Sequence, residues 1–277
     1  MTFPVRISPD EAGDIIAVAD LLADAARAAI LPYFRTGTLA TENKSAPGTL
    51  SEARYDPVTA ADRAAERAMR DILARRRPDD GILGEEFGTT PGTSGLTWVL
   101  DPIDGTRGFI AGTPTWGVLI AACDTQGPVY GIIDQPYIGE RFVGGFGHAN
   151  LTGPMWLRTL KTRGDRPLDE TTIMTTFPAV GTPLEGAAFA EVADHARIVR
   201  YGCDCYAYAL LSMGQIDLVI EAGLKAYDIC GPIAVVEAAG GIVTNWQGGP
   251  AAAGGRVVAA AGQVQHRAAL AILSQVP

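Results

Sequence analysis

Apolar residues recur at Ile15, Ala19, Leu22, Ala26, Ile30 and Tyr33, at spacings that lay one stripe along a helix. Ahead of the stripe, Ser8-Pro9-Asp10-Glu11 predicts the helix start, with Ser8 as N-cap, Pro9 at the first helical position and Glu11 closing a capping box. A polar stretch rich in small residues over 37–54 predicts a surface loop. The helical period returns at Ala65, Met69 and Ile72, behind a cap at Thr59, and Arg75, Arg76, Arg77 and Pro78 end that second helix with cations where the dipole favours them. From residue 81 the pattern becomes that of strands, at 81–84, 98–101, 117–124, 129–134 and 141–145, with Gly and Pro at the breaks. Pro102 is expected to end the second of these. Further on, strands at 198–201 and 216–221 flank a helix at 205–213, followed by a helix at 229–239, strands at 241–244 and 257–261, and a last helix near 264–274. This order predicts an α+β half over 1–150 followed by an α/β half over 151–277. No repeat or low-complexity tract interrupts it.

Composition narrows the class. The 277 residues are 47% hydrophobic and 19% charged, the balance of a globular chain. No apolar run approaches the ~20 residues that span a bilayer, and the N-terminus lacks the basic and apolar stretches of a secretory leader. A cytoplasmic location is the expectation. Lys and Arg number 22 against 31 Asp and Glu, a net charge of -9. That excludes a nucleic-acid surface built on clustered cations and disfavours an anionic membrane. The four cysteines, Cys123, Cys203, Cys205 and Cys230, have neither zinc spacing nor the regularity of a disulfide framework, and read as reduced thiols.

The candidate chemistry is carboxylate chemistry. Asp101 and Asp104 end an apolar strand in WVLDPIDGT, Glu85 and Glu86 follow another in ILGEEFG, and Asp228 precedes an almost wholly apolar helix in AYDICGPIAVVEAAGG. Taken singly, Asp228 is a helix cap, Asp104-Gly105 a turn and Glu85-Glu86 a solvated pair. Taken together, beside a Gly105-Thr106 helix start, they form an oxygen-only set suited to Mg²⁺ and a phosphate group. Other plans fail on inventory. The three histidines, His148, His195 and His266, sit in no acidic or cysteine motif, and neither a G-x-S-x-G elbow nor a G-x-x-x-x-G-K-[ST] loop occurs. Pro102 stands where an aspartyl-phosphate phosphatase needs its second acid, so a covalent aspartyl route is not expected.

With DPVTAAD at 56–62, the GEE, DPIDGT and late YD…GG segments make the chain resemble the inositol monophosphatase family over at least residues 55–145 and 200–262. Within that family, DPIDGTRGFIAGTPTWGVLIA and YGCDCYAYALLSMGQIDLVIEAGLKAYDI are most similar to the bacterial histidinol-phosphatase branch. Arg107-Gly108-Phe109 replaces the Thr-Asn-Phe more usual in the inositol branch. The resemblance implies a layered αβαβα sandwich, a homodimer and two Mg²⁺ ions per site, or three, whose charge offsets the acids that hold them. It implies that Glu85, Asp101 and the Ile103 carbonyl hold the first ion, while Asp101 bridges to a second held by Asp104 and Asp228. It also implies that Asp56 and Thr106, with Glu85, orient an attacking water, that the Gly105 and Thr106 N–H groups receive phosphate, and that Glu221 touches the organic half of the substrate. The branch implies hydrolysis of L-histidinol phosphate to L-histidinol and phosphate, a step of histidine biosynthesis. Asp204 and Glu221 suit the cationic end of that molecule, although Asp204 could equally cap a helix. The alternatives are an inositol monophosphatase or broad sugar phosphatase and, outside enzymes, a non-catalytic metal- and phosphate-binding module. The loop at 42–59 is longer than the branch usually has, so Lys44 stays outside the catalytic set.

Overall fold

In a computed structural model of the chain, which describes residues 7–36, 41–43, 57–155 and 157–277, Ser8 opens helix α1 (Pro9–Ile30) and its hydroxyl accepts the Glu11 N–H at 3.2 Å. The Glu11 carboxylate turns to Arg77 at 3.5 Å, tying this end of α1 to the end of α2 (Ala60–Arg76). At α2 the capping box is complete: the Thr59 hydroxyl accepts from Ala61, and Asp62 accepts from the Thr59 N–H at 2.9 Å. Both helices bury one face against the same sheet.

That sheet has eight strands in the order β10-β9-β8-β7-β6-β5-β3-β4. They are β3 (Gly81–Gly84), β4 (Gly88–Thr90), β5 (Thr97–Asp104), β6 (Gly117–Cys123), β7 (Pro128–Gln135), β8 (Glu140–Gly145), β9 (His148–Thr152) and β10 (Leu157–Thr159). Only the β3–β5 pair is parallel. A five-stranded sheet follows in the order β12-β11-β13-β15-β14, from β11 (Thr172–Thr175), β12 (Ile198–Tyr201), β13 (Leu218–Leu224), β14 (Ile242–Asn245) and β15 (Gly255–Ala260). Helices α5 (Tyr206–Ser212) and α6 (Ala226–Ala238) lie between the sheets, and α4 (Pro183–Asp194) and α7 (Gln263–Leu273) cover the far face of the second. The result is the expected αβαβα sandwich, with a small ribbon of β1 (Thr41–Asn43) and β2 (Pro57–Thr59) beside α2. Among the described residues, no helix is long and apolar enough to cross a membrane.

The central layer explains the composition of α6. Residues 229–236 are all buried, because a helix between two sheets has no solvent face and must be apolar all round. The sheet approaches it through glycines. A Cβ on Gly131 would stand 2.5 Å from the Gly231 carbonyl oxygen, and one on Gly144 would overlap the backbone of Ala234. Two expectations are corrected here. Pro102 does not end its strand: β5 runs on to Asp104 through a bulge, with Asp101 opposite Leu119 and Asp104 opposite Gly117. A bulge leaves one residue out of the ladder, so a proline without an N–H is accommodated. Nor is Asp228 the N-cap of α6, its role when taken singly. Lys225 occupies that position, and Asp228, at the third helical residue, accepts the Lys225 N–H at 2.7 Å.

Candidate functional site

Three chain reversals converge at one end of the first sheet. The bulge in β5 sets Asp101 and Asp104 at the strand end, where Asp101 Oδ1 accepts the Ile103 N–H at 3.0 Å. Gly105 then takes a left-handed conformation, φ +81°, and starts α3 (Thr106–Ala111). Only glycine fits there, since a Cβ would lie 2.8 Å from the Asp204 carboxyl carbon. The Thr106 hydroxyl donates to the Ile103 carbonyl at 3.0 Å. Beneath α3, Phe109 packs edge-on against Trp116 at 5.0 Å and against Phe34, anchoring the turn. The second reversal is the start of α6 with Asp228. The third is the turn after β3, which carries Glu85.

Asp101, Asp104 and Asp228 each offer an oxygen within 4.8 Å of the others. Burial, then the neighbouring Glu85, Asp104 and Asp228 charges, hold the Asp101 carboxyl well above the usual carboxylate range. Burial, then Asp204 and Asp228, do the same to Asp104. Burial also pushes Asp228 up to about 7, with Glu85 adding to it against the Lys225 N–H. So dense a set of acids is stable in its ionised form only around a compensating cation, and its all-oxygen donors match a hard divalent ion. The residues present therefore fit Mg²⁺.

A cleft of about 550 Å³ opens over this cluster, lined by Glu85, Asp104, Gly105, Thr106, Arg107 and Asp228 among others. An adjoining lobe of about 510 Å³ shares Asp104, Asp204 and Asp228 and extends to Tyr208, Glu221 and Phe177. Asp204, at φ +45°, precedes Cys205, which takes the N-cap position of α5 in its place and whose N–H donates to Asp104 Oδ2 at 2.6 Å. Burial raises Asp204 to about 6, opposed by Arg107. Glu221, on β13, accepts the Thr176 N–H at 2.6 Å, and burial pushes its carboxyl up to about 7.

Of the residues singled out from sequence, Glu85, Asp101, Ile103, Asp104, Gly105, Thr106, Asp204, Glu221 and Asp228 thus lie in or beside one cleft. Asp56 and Lys44 lie outside the described residues, as does most of the 37–54 loop. Sequence reasoning passed over Glu66. This buried acid on α2 accepts the Glu86 N–H at 2.6 Å, the Phe87 N–H at 3.2 Å and Arg70 Nε at 2.8 Å, clamping the turn that carries Glu85. A signal was available, because Asp62 and Glu66 fall on the same helical stripe as Ala65, Met69 and Leu73. Phe177 and Tyr208 were also passed over.

The sandwich and its oxygen-only cluster define a metal-dependent phosphatase. The chain belongs to the inositol monophosphatase family, whose model matches residues 12–277, and enzymes of this family depend on Mg²⁺. It is 39% identical over 248 residues to a chloroplastic bifunctional phosphatase of Arabidopsis thaliana, covering 88% of this chain and 68% of that protein. To the histidinol-phosphatase of Streptomyces coelicolor it is 31% identical over 273 residues, 95% of this chain and 97% of the relative. Among solved structures, an inositol monophosphatase from Zymomonas mobilis superposes with a TM-score of 0.80 at 38% identity, covering 95% of this chain and 98% of that one.

Proposed function

We propose that the chain is a phosphomonoesterase that hydrolyses L-histidinol phosphate to L-histidinol and phosphate, a step of histidine biosynthesis. The observation that carries this proposal is the pair of carboxylates, Asp204 and Glu221, lining the lobe that leads away from the acidic cluster. A polyol needs no such negative lobe, whereas an alcohol bearing an ammonium and an imidazolium is attracted to it. Relatives named histidinol-phosphatase support the same choice.

Glu85, Asp101, Asp104 and Asp228, with the Ile103 carbonyl, would hold two Mg²⁺. Bound there, the ions supply charge neutralisation for phosphate and a water acidic enough to attack it. The chain does the positioning. The Gly105 and Thr106 N–H groups, at the start of α3, face phosphate oxygens and fix the ester for in-line displacement. The Thr106 hydroxyl spends its proton on Ile103, which leaves its lone pairs to accept from the attacking water, with Asp56 as the second acceptor. Asp204 and Glu221 then hold the cationic end of the leaving alcohol. Phosphate release from a panel of L-histidinol phosphate, inositol 1-phosphate and fructose bisphosphate tests the assignment. L-Histidinol phosphate is expected to have the highest kcat/KM. An inositol phosphate turned over at least as well would replace it with the inositol reading that the Zymomonas mobilis structure favours.

A further inference from the structure

The inner lobe holds a polar group that none of these roles employs. Tyr208, on α5, is 3% exposed and forms part of the wall shared with Glu221 and Asp204. Its hydroxyl has no hydrogen-bond partner among the described residues. A buried hydroxyl left unpaired costs about 1–3 kcal/mol, and native structures keep few such groups without a use for them. Burial first, and then the Glu221, Asp104 and Asp228 carboxylates, keep this phenol protonated. A protonated phenol offers one donor and two acceptor lone pairs. At the mouth of the lobe stands Phe177, 41% exposed, with the Arg107 guanidinium 6.0 Å from its ring centroid.

We propose that Tyr208 is a specificity-determining residue whose hydroxyl, beside the Glu221 carboxylate, hydrogen-bonds the alcohol half of the phosphomonoester and favours alcohols that present N–H groups. With the Glu221 carboxylate acting on this phenol and Asp204 in the same wall, the lobe is rich in acceptors and negative charge, so a ligand bringing charged N–H donors is matched there better than a polyol, whose hydroxyls donate without charge. The inference rests on the cleft being the phosphomonoesterase site, and only its preference for N–H groups follows the histidinol assignment.

Tyr208→Phe removes one oxygen and keeps the ring. Because that oxygen has no partner in the protein, the melting temperature of the variant should equal or exceed that of the wild type. With saturating Mg²⁺, KM for L-histidinol phosphate should rise about tenfold, equivalent to about 1.4 kcal/mol, with kcat within about twofold. Ethyl phosphate, whose alcohol cannot reach the lobe, should show unchanged kcat/KM. Equal losses for both esters with a lowered melting temperature would mean a structural role and overturn the proposal, as would an unchanged KM for L-histidinol phosphate. If wild-type enzyme prefers inositol 1-phosphate, the substrate assignment and the N–H preference both fail. The hydroxyl's contact with the alcohol is then judged by the same comparison on that ester, where an unchanged KM overturns it.

Discussion

Replacing Glu66 by glutamine tests the link between a buried brace and the acidic cluster. The side chain is fully buried, and its two oxygens accept from the Glu86 and Phe87 N–H groups and from Arg70. Those two backbone donors form the turn directly after Glu85, so the Glu66 carboxylate sets where Glu85 can stand. Glutamine has the same shape but only one acceptor oxygen, and its amide NH₂ must face a donor. Losing a bond to a charged group costs about 1.5–3 kcal/mol, and an unpaired buried donor about 1–3 kcal/mol more. A net loss of about 3 kcal/mol is expected. For a chain of this size that lowers Tm by roughly 6–12 °C. The looser turn should also raise the Mg²⁺ concentration needed for half-maximal phosphate release by about tenfold, the low end of what removing a ligand's supporting partner usually does. Thermal melts and Mg²⁺ titrations of activity measure the two effects. A variant with unchanged Tm would refute the energetic reasoning, and one with lowered Tm but unaltered Mg²⁺ requirement would refute the link to Glu85.

Other expectations can be checked separately. Asp104→Asn should abolish most phosphate release, yet leave the metal-free protein as stable or more so, because one of several mutually repelling acids is gone; full activity would remove Asp104 from the proposed site. Gly131→Ala should destabilise by about 1–3 kcal/mol, since its Cβ would meet the Gly231 carbonyl oxygen at 2.5 Å. By contrast, Gly13→Ala in open space on α1 should stabilise by up to about 1 kcal/mol, and urea melts of the pair would show opposite signs. Asp204 at about 6, with Asp228 and Glu221 at about 7, have folded pKa values above their unfolded ones near 4. The folded state therefore holds extra protons between about pH 4 and 7, and stability drops as pH rises through that window. In EDTA, Tm should fall from pH 5 to pH 8, and the rise in Tm on adding Mg²⁺ should be larger at pH 8; a metal-free Tm that climbs over that range would contradict the burial of these acids.

Local signals carried most of the frame. The Ser8 cap, the Thr59 cap and the stripe of α1 depend on neighbours a turn away, and each forms where the sequence places it, although Glu11 bonds Arg77 instead of closing a box on Ser8. Signals fail where tertiary packing decides. Pro102 looks like a strand end, but the bulge that absorbs it exists only because β6 pairs on both sides of it. Asp228 looks like a cap because a polar residue before an apolar run usually is one, whereas the helix starts two residues earlier. Strands β4 and β10 were invisible for a different reason: GTT and LRT are short, mostly exposed edge segments with no buried face to generate alternation. Convergence of Asp101, Asp104 and Asp228 was readable as a pattern of acids in costly places. The unpaired hydroxyl of Tyr208 was not, because a tyrosine in an apolar helix looks the same with or without a partner.

Removal and return of the metal tests the central claim most directly. Purified protein stripped with EDTA and then freed of the chelator should release no phosphate from L-histidinol phosphate, and adding Mg²⁺ should restore release. The same rate with and without the metal would contradict the account, and no release under either condition would leave the chain a binding module without catalysis.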